Sequence, residues 1–229
     1  MRLIGLKAIR PLKKTSIRDQ SHKVYPYLLR DLIIDYPNQA WATDITYIKI
    51  KLGFIYLVCI IDVFSRKIMG WAVSISPDTK SCLEAYENAT KQVKAEILNS
   101  DQGCQFTSEA WIDRLTLDGV KISMDGKKRW ADNIIIERFW RNIKYESVFL
   151  NCFEDVKDAK EHIAIYINFY NSERPHQSLK YKTPDEVYFQ FNKTKHDPKS
   201  AMTVSYSTTS FAESAIQDHV QIMEANMVI

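Results

Sequence analysis

Long apolar runs are missing from this sequence of 229 residues. The longest, residues 54–61, has only eight residues, whereas a membrane-spanning helix needs roughly 20. The opening stretch MRLIGLKAIRPLKK also lacks the longer apolar core of a secretory signal. We therefore expect a cytoplasmic protein with no membrane segment.

Cysteine is scarce, and its spacing argues against two structural roles. No CxxC pair occurs, and no histidine pair stands at the spacing of a zinc site. Structural zinc and a disulfide framework are therefore not expected, and free thiols in a reducing compartment fit better. The four cysteines are Cys59, Cys82, Cys104 and Cys152.

The net charge is only +3, but it is unevenly distributed. Within residues 1–30, Asp19 is the single acidic residue. A basic arm of this kind suits a polyanionic partner, although a solvated basic tail would have the same charge. The basic residues of the arm are Arg2, Lys7, Arg10, Lys13, Lys14, Arg18, Lys23 and Arg30.

Hydrophobic periodicity predicts an α/β domain. Three strands joined by short turns come first, and helices then alternate with two further strands. This order is typical of a ribonuclease-H-like fold with a mixed five-stranded sheet flanked by helices, although the pattern alone leaves other α/β folds open. We predict strands at 41–51, 54–62, 68–76, 95–101 and 120–124, and helices at 79–93, 108–117, 131–149 and 154–170, with a short one from 184.

The same patterns divide the chain into three parts. Residues 1–36 form the basic arm, with one short apolar patch at 25–29 that we expect to lie over the domain. Residues 37–191 form the core. Residues 192–229 are polar and rich in serine and threonine, and we expect a weakly ordered tail.

Acidic residues stand at three positions where they need explanation. Asp44 lies inside an Ile- and Thr-rich strand, where aspartate is disfavoured unless it has a partner. Asp101 ends a strand just before Gly103, so a turn-forming role is the simple alternative. Glu137 borders the apolar stripe of a helix, where an ion pair with Arg141 is the simple alternative.

Together, the three acids suggest a metal site. Converging carboxylates repel one another unless cations neutralise them, and Mg²⁺ or Mn²⁺ is the matching hard cation. Two such ions, about 3.5–4 Å apart, support in-line displacement at phosphorus. We therefore predict that Asp44, Asp101 and Glu137 are the catalytic residues and ligands of two divalent ions.

Basic and polar residues near Glu137 are candidate DNA contacts. Lys127, Lys128 and Arg129 form a run before the helix, where an exposed charged loop is the alternative. Asn133 could orient Glu137, contact DNA or cap the helix. Trp130 could stack on a base or belong to the core.

Two other sets of polar residues are not assigned to the catalytic chemistry. Asp62 follows a buried strand and could pair with Arg66 across the turn. The loop at Arg174–His176 is interpreted as packing or DNA contact, because metal-dependent phosphoryl transfer needs no histidine base.

Several long motifs occur in an order that resembles a known family. They are similar to the integrase core of OrfB-type transposases of the insertion-sequence-three family, which are relatives of retroviral integrases. Thirty-five residues separate Asp101 from Glu137, which is that family's spacing. The motifs are WATDITYI, IIDVFSRKIMGW, NSDQGCQFTS, DGKKRWADNIIIERFWRNIKYESVFL and FYNSERPHQSLKYKTPDEVY.

This resemblance implies a fold, a reaction and further site residues. It implies a ribonuclease-H-like domain that cleaves element ends and joins a 3′-hydroxyl to another DNA phosphodiester. Lys144, seven positions after Glu137, is expected to contact DNA near the reacting end, and we include Arg141 on the same polar stripe. The expected partners are the element ends, target DNA and further copies of this chain.

Two departures from the family leave an alternative open. Relatives carry a helix-turn-helix region upstream of the segment like MRLIGLKAIRP, so we expect this module to be missing here or supplied by an upstream-frame protein. Cys104 replaces the usual serine after Gly103. A non-transposing DNA-binding remnant, or regulator of a full-length transposase, is the main alternative. A ribonuclease-H-type nuclease acting on RNA–DNA hybrids is another.

Overall fold

The computed structural model describes residues 24–126 and 133–196. The five strands and five helices of this part follow the predicted order. They are β1 (Ala40–Ile50), β2 (Gly53–Asp62), β3 (Ile68–Ser74), α1 (Thr79–Ala89), β4 (Ile97–Ser100), α2 (Glu109–Leu117), β5 (Lys121–Met124), α3 (Ile134–Glu146), α4 (Val156–Ser172) and α5 (Pro184–His196), with 3₁₀ turns at Val148–Leu150 and Gln177–Leu179.

The strands form one mixed sheet in the order β3-β2-β1-β4-β5. Short turns join β1 to β2 and β2 to β3, so these pairs are antiparallel. Crossovers through α1 and α2 make β4 parallel to both β1 and β5, because parallel neighbours need a long connection. The predicted mixed five-stranded sheet is confirmed.

Helices cover both faces of the sheet, and this explains the long apolar run in β2. Leu57, Cys59 and Ile61 pack into the core under α3 and α4. Val58 and Ile60 point the other way, into the core under α1 and α2. Successive strand residues face opposite sides, so a strand covered on both faces needs an unbroken apolar run.

The predicted apolar stripe of α3 is also confirmed. Ile136, Phe139, Trp140 and Ile143 are all buried against the sheet. Their spacing follows the helical repeat, so the face of α3 that meets the core could be predicted locally. The adjacent position, Glu137, is exposed.

The strand register sets the point at which β1 and β4 separate. β1 pairs with β4 only at Ala40–Ala42, where Ala42 lies opposite Asn99. Beyond that point β1 continues along β2, while β4 ends at Ser100. The two strands therefore separate, and the residues two positions past the last pair stand at the same level on either side of the gap.

The segment before β1 lies over the domain, as expected. Leu28 donates its backbone N–H to Ser123 Oγ (3.0 Å), and the Met124 N–H reaches the Pro26 carbonyl (3.4 Å). Tyr25 packs against the core under α1 and α2, and Leu29 against the core under α3 and α4. This contact covers part of the edge strand β5. Residues 1–23, most of the basic arm, lie outside the described range.

Several boundaries differ from the prediction. α1 ends at Ala89 rather than at 93, and the hydroxyl of its C-cap residue Thr90 donates to the Tyr86 carbonyl. α3 ends at Glu146 rather than continuing to 149. α5 extends to His196, past residue 192, where we expected the tail to begin. Residues 197–229 lie outside the described range.

Among the helices of residues 24–126 and 133–196, none combines the length and apolar character needed to cross a bilayer.

Candidate active site

Asp44 occupies the middle of β1, directly opposite Cys59 of β2. Its Oδ2 accepts a hydrogen bond from Trp140 Nε1 (2.9 Å), which joins the strand to α3. Trp140 is buried, so this bond holds the carboxylate in a defined orientation. The aspartate that was anomalous in an apolar strand has a specific polar partner.

The pKa of Asp44 is raised from 3.8 to about 6. Burial is the largest cause, because it disfavours the charged form. Hydrogen bonds from Trp140 and from the Ile45 backbone oppose the rise, and the charges of Asp101 and Glu137 add to it. Asp101 and Glu137 therefore both lie within electrostatic reach of Asp44.

Asp101 follows β4 at the point where β1 and β4 separate. It is two residues beyond Asn99, as Asp44 is two beyond Ala42, so the parallel register sets both acids at the same level. Asp101 Oδ1 also accepts the Gly103 N–H (2.8 Å). The turn-forming role is real, and it orients a carboxylate that is exposed to solvent.

Asp44 and Asp101 line one cavity of about 220 Å³. It opens beside the unpaired side of β1, next to the loops that follow β3 and β4. Its other lining residues did not stand out in the sequence, since most of them look like ordinary strand or loop positions. They are Ile45, Tyr47, Tyr56, Pro77, Gln105 and Phe106.

Glu137 lies on α3, one turn before Trp140. Residues three apart share a helical face, so the bond from Trp140 to Asp44 turns this part of α3 towards β1. Within the ranges 24–126 and 133–196, no three His, Cys, Asp or Glu side chains are grouped closely enough to hold a metal ion as placed. The two aspartates therefore line the same cavity, whereas Glu137 is linked to Asp44 by its charge, which raises the pKa of Asp44.

The predicted DNA contacts fall into two groups. Lys144 is half-buried, with its Nζ 5.2 Å from the ring centre of Tyr47, which is one of the residues that line the cavity. Arg141 is exposed, with its guanidinium 5.9 Å from the ring centre of Tyr145. Lys127, Lys128, Arg129 and Trp130 lie outside the described residues.

Asn133 stands at the N-cap position of α3 but does not cap it. Its side chain makes no capping hydrogen bond and is only 7% exposed. Within the described ranges its Oδ1 has no hydrogen-bond partner. The alternative in which Asn133 caps α3 is therefore not realised.

Asp62 has the structural role that was predicted for it, with different partners. It is fully buried. Its Oδ2 accepts from the Ser65 N–H (2.8 Å) and hydroxyl (2.6 Å), and its Oδ1 accepts from the Asn38 N–H (2.8 Å). Arg66 acts on this carboxylate through its charge, while its guanidinium donates to the Val63 carbonyl.

The YNSERPHQSL segment packs α4 against the rest of the core. The Asn171 side chain accepts the Ile68 N–H (2.9 Å) and donates to the Ile68 carbonyl (3.0 Å), which satisfies one residue of edge strand β3. Arg174 bonds both oxygens of Glu146 at the end of α3 (2.7 and 2.5 Å). Of the two interpretations of this loop, packing is the one these contacts support.

His176, in the same segment, is poorly suited to act as a base. It is 7% exposed, and its pKa is lowered to about 4 by burial and by the charges of Arg174 and Arg66. The imidazole is therefore neutral at physiological pH, and it meets the Tyr170 ring edge to face.

Trp140 is the main functional residue that sequence reasoning missed. It was assigned only to the apolar stripe of α3. Its position three residues after Glu137 was the available signal, because that spacing places the indole on the same face as the acid.

Sequence comparison places this domain among known proteins. The family described as integrase core domain matches residues 35–129, and a second integrase core family matches residues 118–184. The transposase for IS904 of Lactococcus lactis is 36% identical over 154 residues, covering 66% of this chain and 61% of the relative. A putative transposase for IS150 of Escherichia coli is 30% identical over 191 residues, covering 81% and 68%. A transposase-like protein of Haemophilus influenzae is 30% identical over 188 residues, covering 80% and 87%.

Solved structures with the same fold include retroviral integrase cores. The HTLV-2 integrase catalytic core in complex with magnesium has a TM-score of 0.56 at 22% identity, covering 67% of this chain and 97% of that chain. The BIV integrase core has a TM-score of 0.57 at 16% identity, covering 70% and 99%. At this identity the likeness concerns the fold, and it confirms the ribonuclease-H-like architecture.

Fold and matched sequence together define an integrase-type catalytic core of the DDE superfamily. Within that class, the chain belongs to the transposases of the insertion-sequence-three family. It spans 61% of the length of the Lactococcus relative and 68% of the Escherichia relative.

Proposed function

We propose that this chain carries out metal-dependent DNA cleavage and strand transfer in insertion-sequence transposition. One observation carries the proposal: Asp44 and Asp101 line a single cavity where β1 and β4 separate, and the charges of Asp101 and Glu137 both raise the pKa of Asp44. A buried acid whose pKa is raised further by neighbouring carboxylates is a typical feature of functional sites.

The donor set fits hard divalent cations. Asp44, Asp101 and Glu137 offer only carboxylate oxygens, the ligands that Mg²⁺ and Mn²⁺ prefer. A nearby cation would favour the ionised form of Asp44, whose pKa of about 6 lies close to neutrality. When two such ions are bound, they supply activation of the attacking oxygen and stabilisation of the leaving oxygen.

The protein groups around the acids act by orientation. The Trp140 indole N–H holds one oxygen of Asp44, and the Gly103 N–H holds one oxygen of Asp101. α3 carries Glu137 and is tied to β1 through the same indole. Orientation fixed before the reaction is an established source of rate enhancement.

DNA is the substrate that the basic residues suit. Lys144 lies beside the ring of Tyr47, a cavity-lining residue, and Arg141 lies exposed on the same helix. We assign them to phosphate contacts, which position the DNA without reading its sequence. Lys127, Lys128 and Arg129, shortly before Glu137 in the chain, complete the proposed DNA surface, whereas Asn133 is buried and is assigned to orienting Glu137.

The proposed partners follow from the reaction. Two element ends must be joined to one target, so we propose that further copies of this chain assemble on the DNA in the bacterial cytoplasm. An upstream-frame helix-turn-helix protein would supply recognition of the ends.

A forked DNA that mimics a strand-transfer product gives a direct test. It places a 3′-hydroxyl beside a phosphodiester, so the reverse reaction needs the acidic site but little recognition of element ends. We expect resolution of the fork with Mn²⁺ or Mg²⁺ and none with EDTA. Asp101→Asn should abolish it, although asparagine can still accept the Gly103 N–H.

Asp113→Asn is the matched control, because Asp113 is an exposed aspartate on α2. It should keep full activity, and thermal unfolding should show that both variants are folded. Equal fork resolution by wild type and Asp101→Asn would eliminate the proposed activity. DNA binding without any reaction in the wild type would favour the non-transposing regulator instead.

A further inference from the structure

Tyr47 is a large aromatic residue in an unexpected place. It lies on β1, three residues after Asp44, and its side chain is 63% exposed. It nevertheless lines the cavity that contains Asp44 and Asp101. A ring that is mostly in solvent contributes little to the core, so its position at the cavity invites another explanation.

Three neighbours hold the Tyr47 ring at the rim. Tyr56 lies directly opposite on β2 and lines the same cavity. The Phe54 ring meets it edge to face, with centroids 5.8 Å apart and planes at 80°. Lys144 Nζ lies 5.2 Å from the ring centre. The ring therefore lies beside a cation on α3 and lines the same cavity as the two aspartates.

This arrangement matches the two parts of a nucleotide. A lysine ammonium attracts the phosphate, and an aromatic ring offers a stacking surface to any nucleobase. The cavity, about 220 Å³, is smaller than the roughly 300–1,000 Å³ pockets that enclose a drug-sized molecule. It suits one ring system at its mouth rather than a whole nucleotide inside.

We propose that Tyr47 stacks on an unpaired nucleobase at the reacting DNA end and so holds the adjoining phosphodiester at Asp44 and Asp101. This inference rests on the proposed function and adds a binding residue to it. The stacking is independent of base identity, because every base has an aromatic face.

The test uses the full chain and a short duplex that carries 2-aminopurine, a fluorescent base quenched by stacking, as an unpaired 3′-terminal nucleotide. The variants are Tyr47→Phe and Tyr47→Trp, which keep a ring, and Tyr47→Leu, which keeps apolar bulk without one. Tyr181→Leu is the control, since Tyr181 is a comparably exposed tyrosine (72%) outside the cavity lining.

We expect the bound probe to be dimmer with wild type, Tyr47→Phe and Tyr47→Trp than with Tyr47→Leu. DNA affinity should fall by about 5- to 150-fold in Tyr47→Leu, the range that base–aromatic stacking contributes. Mn²⁺ affinity should stay unchanged in this variant, because Tyr47 is not a proposed ligand. The control should match wild type in all three measurements.

Equal probe brightness and equal affinity in wild type and Tyr47→Leu would overturn this role of Tyr47, while metal-dependent fork resolution by both would leave the proposed function standing. If wild type resolves no fork with either metal, the proposed function fails, and the role of Tyr47 at a reacting end fails with it.

Discussion

Replacing Asp44 with asparagine should make the metal-free protein more stable while abolishing its activity. The pKa of Asp44 is about 6 in the folded protein, against an ordinary aspartate value of 3.8. A raised carboxyl pKa means that the folded state binds the proton more tightly than the unfolded state does. The stabilisation that protonated Asp44 gives to the folded state is therefore fully present below pH 3.8 and is lost as the pH rises through about 6.

The difference of roughly two pKa units corresponds to about 1.36 kcal/mol per unit. Keeping Asp44 ionised in the folded protein at neutral pH therefore costs at most about 3 kcal/mol of folding free energy. Asparagine carries no charge, and its oxygen can still accept the Trp140 hydrogen bond. We therefore expect Asp44→Asn to raise the free energy of unfolding at pH 7.5 by about 1–3 kcal/mol, or about 2–4 °C in Tm per kcal/mol.

The assay is thermal unfolding in EDTA across pH 4 to 8, followed by fork resolution with Mn²⁺. The two proteins should converge near pH 4, where both side chains are neutral. Asp62→Asn is the contrast: its amide would face the Ser65 or Asn38 donors, so this variant should be less stable. An Asp44→Asn variant that melts below wild type at pH 7.5 would refute the reasoning about burial and charge.

Three further predictions concern neighbouring contacts. Trp140→Phe removes the hydrogen bond that lowers the pKa of Asp44, so the acidic limb of the pH–rate profile should move to higher pH; an unmoved limb would contradict this. Asn171→Ala removes two bonds to Ile68 and should cost about 1–3 kcal/mol in urea unfolding without changing Mn²⁺ affinity. Lys144→Gln should weaken DNA binding and reduce the slope of log affinity against log salt by about one; an unchanged slope would remove Lys144 from the DNA surface.

Local pattern was enough to predict most of the elements. The apolar run of β2 and the buried stripe of α3 each follow from the repeat of their own backbone. The boundaries were less predictable, as α1 shows, because it ends at Ala89 although the pattern predicted a helix to 93.

The identity of the acids could also be read from the chain itself. Asp44 was conspicuous because a charged group in an apolar strand needs a partner. Asp101 and Glu137 were each compatible with ordinary roles. They gained weight only together, and through the resemblance to a family with the same spacing.

Composition, backbone periodicity and motif order thus determined the fold class, the strand and helix order and the three candidate acids, since each depends on residues close together in the chain. Only the tertiary structure decided the neighbours. It set Ala42 opposite Asn99, so that two acids more than fifty residues apart share a cavity, and it brought Trp140 to Asp44 and Lys144 to Tyr47. Such contacts depend on strand register and helix packing, which sum interactions over the whole core and are not encoded in any single segment.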